Sequence, residues 1–156
     1  MQFTSKEDIE APIGEVYVVL ADFESFERSA IRRGIEVQRN GEHPRPPQVG
    51  MSWDVAFTVR GKRRETVITL IACEKPVTMT FQASGTGLDG VMEIELLALS
   101  PRRTRLSVTL ELSAQTMSAR LFVQSLKLAK SNLNKRFRLK VADFARAIED
   151  RFTKLV

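Results

Sequence analysis

Residues 122–152 read FVQSLKLAKSNLNKRFRLKVADFARAIEDRF, and the spacing within this stretch decides the fold. Apolar side chains recur at Phe122, Leu126, Ala129, Leu133, Phe137, Val141, Phe144, Ile148 and Phe152, in steps of three or four. That period lines them along one stripe of an α-helix. From Arg102 onward the chain holds neither glycine nor proline, so no residue type there breaks the helix. Ser113 or Thr116 caps its start. A helix running to Phe152 is on the order of 50 Å long at 1.5 Å per residue. Such a helix keeps its place by burying its stripe against a large partner surface. Ser131, Asn132 and Asn134 are weak helix formers and are where a bend is expected.

The partner surface lies upstream. Trp53, Val55, Phe57 and Val59 alternate with Ser52, Asp54, Thr58 and Arg60, the period of a half-buried strand. Arg60-Gly61-Lys62 is a hairpin turn, and Arg64 to Cys73 is the next strand. Both faces of that strand are mostly apolar or threonine, so its facing stays open. Val77, Met79, Phe81 and Ala83 alternate with Thr78, Thr80, Gln82 and Ser84. After the Gly85-Thr86-Gly87 turn, Met92, Ile94, Leu96 and Ala98 alternate with Glu93 and Glu95. Past Ser100-Pro101-Arg102-Arg103, Leu106, Val108, Leu110 and Leu112 alternate with Arg105, Ser107, Thr109 and Glu111. Strands joined by short turns make an antiparallel meander, apolar on one face. The helix closes over that face, and such an architecture encloses a cavity.

The first part of the chain is a strand at Gln2 to Ile9, then two short helices. Pro12 fits the first turn of one, with Val16, Val19 and Leu20 on its inner face. Asp22 ends that helix or caps the second, Phe23 to Ile31, and Gly34 marks the exit. A strand at Ile35 to Arg39 leads into Asn40-Gly41-Glu42-His43-Pro44-Arg45-Pro46-Pro47, an exposed loop too rich in proline to pair in a sheet.

The order strand, two helices, meander, terminal helix resembles the α+β helix-grip fold. The run Ile9-Glu10-Ala11-Pro12-Ile13-Gly14-Glu15-Val16-Tyr17 with Leu20-Ala21-Asp22 resembles the START-like (SRPBCC) superfamily. That superfamily includes polyketide cyclases, aromatase-cyclases, birch-pollen-type allergens and lipid-transfer domains. Gly50-Met51 leading into an aromatic strand supports the likeness, which extends over nearly the whole chain. The resemblance implies a curved sheet of seven strands gripping the terminal helix, with a hydrophobic cavity between them.

The 156 residues fit one domain spanning 1–156, with 43% hydrophobic and 28% charged residues. The opening residues lack the apolar run of a signal peptide, and no run reaches the length of a membrane span, so a soluble cytoplasmic protein is expected. The net charge is +5. Its excess is concentrated between Ala114 and Ala142, where Arg120, Lys127, Lys130, Lys135, Arg136, Arg138 and Lys140 meet no Asp or Glu. That block is a solvated helix face or a surface for an anionic ligand, an acidic partner or an anionic membrane.

Catalytic motifs are sparse. His43 is the single histidine and Cys73 the single cysteine, which leaves no metal site, triad or disulfide. The glycines form hairpin turns and match no phosphate loop, and no cofactor is expected. Glu93 and Glu95 share the face opposite Met92 and Ile94, which is the solvent side. Aromatics alternate with Ser, Asp and Thr and point inward, so nucleic acid is not an expected partner. The remaining candidates are apolar: Trp53, Val55, Phe57, Met79, Phe81, Met92, Ile94, Leu110, Met117, Phe122, Leu126 and Ala129. They are expected to line a cavity that takes a small hydrophobic or lipid-like ligand. A cyclase- or dehydratase-like enzyme ranks second, because few polar residues point inward. An accessory module using the basic helix ranks third.

Overall fold

β1 (Gln2–Ile9) opens an antiparallel sheet, and the chain leaves it through α1 (Ile13–Leu20) and α2 (Phe23–Arg32). Six strands follow: β2 (Glu36–Asn40), β3 (Ser52–Val59), β4 (Lys62–Glu74), β5 (Thr78–Gly85), β6 (Leu88–Ser100) and β7 (Arg103–Ala114). Two helices, α3 (Met117–Leu128) and α4 (Lys130–Leu155), complete the chain. The structure is a computed structural model that describes residues 1–43 and 45–155. Pro44, part of the loop expected after β2, and Val156 lie outside the described residues.

Neighbouring strands run β1-β7-β6-β5-β4-β3-β2. β2 to β7 are therefore a meander, and α1 and α2 carry the chain from one sheet edge to the other. This is the helix-grip arrangement. Local chemistry sets its corners. Arg60 (φ 53°) and Gly61 (φ 78°) are both left-handed, which closes a tight two-residue hairpin between β3 and β4. Asp22 caps α2 by accepting from the Ser25 N–H at 3.3 Å. Thr116 caps α3 by accepting from the Ala119 N–H at 3.2 Å. Register irregularities at Leu70/Ala72 and Ala98/Ser100 bend the strands.

The terminal stretch differs from the single rod its periodicity predicts. The helix breaks at Ala129 (φ −108°, ψ 17°), whose N–H bonds the Leu126 carbonyl at 3.0 Å, three residues back rather than four. The break precedes the polar Ser131–Asn134 stretch and falls among good helix formers. Its cause is tertiary: α3 packs on β7 while α4 packs along β1. One straight rod cannot follow both parts of a bent sheet.

Both lid helices bury some side chains, Ala119 and Val123 on α3 among them, but the apolar stripe is not buried evenly. Val141, Ala145 and Ile148 on α4 are buried with Ile9, Val16, Leu20 and Leu106 in one continuous core. Thr104 is fully buried beside them, and its hydroxyl donates to the Ala11 carbonyl at 2.8 Å. Toward α3, Phe122, Leu126, Ala129, Leu133 and Phe137 are only half-buried. The outer sheet face mixes charged residues with exposed apolar ones such as Val67 and Leu97. Glu93 and Glu95 are exposed, and Arg105 holds Asp8 at 2.8 Å. That hydrogen bond from Arg105 pulls the Asp8 carboxyl below its ordinary pKa.

Candidate functional site on the concave sheet face

Strand register brings most of the expected wall residues onto one face. Trp53 pairs with Ile68, Val55 with Thr66 and Phe57 with Arg64. Ile68 pairs with Ala83, and Leu70 with Phe81. Phe81 pairs with Met92, Met79 with Ile94, and Met92 with Leu110. The residues of a pair point to the same side of an antiparallel sheet, so this is a continuous, mostly apolar floor broken by Arg64 and Thr66. Phe122, Leu126 and Ala129 belong to α3 and its C-cap above it.

The floor is not uniform. Trp53 is 6% exposed and Met79 1%, so both belong to the packed core. The Trp53 ring is hemmed by Phe23 at 5.3 Å, His43 at 4.8 Å and Phe81 at 6.4 Å. His43 thus departs from the exposed loop residue expected. It is half-buried, and its Nε2 lies 3.1 Å from the Ser52 carbonyl. By contrast Val55, Phe57, Phe81, Met92, Ile94 and Leu110 keep accessible surface although they sit on interior strands facing the helices. A helix layer that sealed the sheet would bury them. Met117 is 69% exposed in the first turn of α3 and stands apart from this group.

β4 supplies what sequence periodicity left open. Arg64 and Thr66 lie on the concave face, while Arg63 and Glu65 lie on the outer one. Arg63 forms ion pairs with Glu36 and Glu65. Arg64 is 8% exposed and has no ion pair or hydrogen bond among the described residues. Its guanidinium carbon lies 4.0 Å over the Phe122 ring. An arginine cannot shed its charge on burial. Arg64 Nε, Thr66 Oγ1, Trp53 Nε1 and Asn134 Oδ1 are buried without a protein partner, an uncommon state for buried polar atoms. The signal was visible only as two adjacent arginines, one of which must face inward.

Two further features flank the floor. Tyr17 is 4% exposed, and its hydroxyl lies 3.0 Å from Cys73 Sγ. Burial first, then that hydrogen bond, pushes the phenol well above its ordinary range, so it stays protonated at neutral pH. A cavity of about 520 Å³ opens beside it, lined by Tyr17, Phe23, His43, Met51, Lys75 and Arg151 among others. Phe23 and His43, which pack on Trp53, form part of its wall. A second hollow, about 670 Å³, involves the outer side of β2 to β4. Arg63, which lines it, already pairs with Glu36 and Glu65, so the hollow has little to offer an apolar ligand. Among the described residues, no group of three His, Cys, Asp or Glu side chains comes together to hold a metal. No helix among them is long and apolar enough to cross a membrane.

No family model matches the chain, and no curated protein matches it. Solved structures do. A protein from Thermus thermophilus aligns over 99% of both chains with a TM-score of 0.66 and 13% identity. A START superfamily protein from Mycobacterium smegmatis aligns over 99% of both with a TM-score of 0.61 and 14% identity. The Zhui aromatase/cyclase from Streptomyces sp. R1128 aligns over 74% of this chain and 69% of its own, with a TM-score of 0.57 and 18% identity. The protein therefore has the START-like fold.

Proposed function

We propose that the protein binds a small hydrophobic or lipid-like molecule between the concave sheet face and α3 with the start of α4. The observation that carries this is the contrast along one face. Leu106, Leu96 and Met79 are buried, while Phe81, Met92, Leu110 and Phe57 are half-buried under an equally apolar helix stripe. Apolar surface held open in this way is what a ligand pocket needs. Nile red, a neutral polarity-sensitive dye, tests it. The expected result is saturable one-to-one binding with a Kd of about micromolar order, displaced by 1-decanol. Dye uptake that never saturates would overturn the reading. The Zhui aromatase/cyclase shares the fold, but the polar groups on the floor under α3 are Arg64 and Thr66, with no carboxylate or histidine paired to them among the described residues. Binding without turnover is therefore the preferred reading.

The basic surface of the lid supports a reading of how such a ligand arrives. Met117, Leu121 and Leu128 are 69%, 60% and 92% exposed. They stand among Arg120, Lys127 and Lys130, all exposed and none in an ion pair among the described residues. Cations framing exposed apolar side chains suit the interface of an anionic membrane better than an acidic protein. Sedimentation with phosphatidylglycerol vesicles is expected, and binding should fall at least several-fold between about 50 and 300 mM salt as screening rises. Equal sedimentation with phosphatidylcholine vesicles would exclude this role.

A further inference from the structure

We propose that Arg64 anchors the carboxylate of an amphiphilic ligand whose chain lies along the apolar floor. This inference rests on the binding reading above and names the chemical class of the ligand. It begins with a comparison of arginines. Arg63 meets Glu36 and Glu65, Arg39 meets Glu27 and Glu24, and Arg105 meets Asp8. Arg64 is the inward member of the Arg63–Arg64 pair, is more buried than any of these, and meets no carboxylate among the described residues. Its Nε is buried without a partner, and a charged group with a buried, unpaired donor is costly. The Phe122 ring face at 4.0 Å offsets part of that cost, but a ring face gives the buried Nε–H no acceptor.

The second observation is Thr66, two residues along the same strand and on the same face. Its hydroxyl is buried without a partner, as is Arg64 Nε. Guanidinium N–H groups are donors only, and a free hydroxyl can donate to the same ligand. The complementary group accepts hydrogen bonds and carries negative charge. A carboxylate presents two coplanar oxygens to the arginine fork, and its single charge matches the single cation. A phosphate dianion would leave one charge unmatched.

Away from Arg64 the floor becomes apolar and shallow. Ile68 is followed across the sheet by Ala83 and then Gly90, two positions that carry almost no side-chain volume. Phe81 and Met92 border that row. A charged head at Arg64 with an alkyl chain over Ala83 matches this gradient from polar to apolar.

The test compares decanoate with 1-decanol, equal in chain length and different in head group, by calorimetry at pH 7.5. Wild-type protein is expected to bind decanoate roughly tenfold or more tightly than decanol. Arg64→Met should bring decanoate down to the level of decanol while leaving decanol within about threefold of wild type. Thr66→Val should weaken decanoate several-fold and spare decanol. Wild-type binding of both compounds with equal affinity would overturn the anchor while leaving the apolar site standing. Binding of neither would remove both readings. Should Arg64→Met fail to fold, the wild-type head-group comparison and Thr66→Val still decide the matter.

Discussion

Replacing Leu106 with alanine is expected to cost about 3 to 4 kcal/mol of folding stability, while the same change at Leu110 costs about 1 kcal/mol. The two leucines are four residues apart on β7 and face the same side of the sheet. Leu106 pairs with Leu96 and Glu7, is fully buried, and packs in the core that includes Ile9, Val16 and Ile148. Truncating it loses the transfer free energy of the missing carbons and leaves a void that close-packed neighbours cannot fill. Leu110 pairs with Met92 and Phe3 but is only half-buried. Its removal enlarges a space that is already accessible, so the cavity contribution is small. Urea unfolding measures both, with the midpoint shifting and the slope unchanged if folding stays two-state. The difference between the two sites is the informative quantity. Equal costs would mean that the concave face is packed as tightly at Leu110 as at Leu106, and the proposed ligand site would have no room.

The contrast between Leu106 and Leu110 also marks where sequence reading stops. Alternation put both inward, and the structure agrees. Alternation carries no information on what stands opposite, and that decides whether an inward residue is core or wall. Trp53 and Met79 face the expected way but are core, because Phe23 and His43 close over the Trp53 ring and α1 lies nearby. The meander and the Arg60-Gly61 hairpin were legible, since each depends on a few adjacent residues; Asp22 and Thr116 were each one of two readings that the structure decides, and the pairing of β1 with β7, between residues about a hundred apart, was not. The break at Ala129 was not, because alanine favours helix and the interruption comes from the different paths of α3 over β7 and α4 over β1. Arg64 was hidden for another reason. Apolar or threonine side chains on both faces of β4 erase the period-two signal, and only the pairing of Phe57 with Arg64 assigns the arginine to the interior.

Gly85→Ala is expected to destabilise the protein by about 3 kcal/mol, and Gly14→Ala to stabilise it by up to about 0.5–1 kcal/mol. The chemical change is the same, one methyl group. Gly14 lies in the first turn of α1 with nothing within 4 Å of an added Cβ, so alanine only reduces the freedom of the unfolded chain. Gly85 ends β5, and its conformation is one that any residue adopts. The obstacle there is space. An added Cβ would lie 2.9 Å from Thr66 Cα and closer still to the Glu65 carbonyl oxygen. Both are backbone atoms of β4, so no side-chain rotation relieves the clash, and the two strands must separate. The stretch pushed aside carries Arg64 and Thr66. Gly85→Ala should therefore weaken decanoate more than decanol among molecules that remain folded, in addition to lowering the unfolding midpoint. A normal midpoint in Gly85→Ala would show that β4 and β5 yield easily at this corner, and that Arg64 and Thr66 are held less rigidly than an anchor for a carboxylate requires.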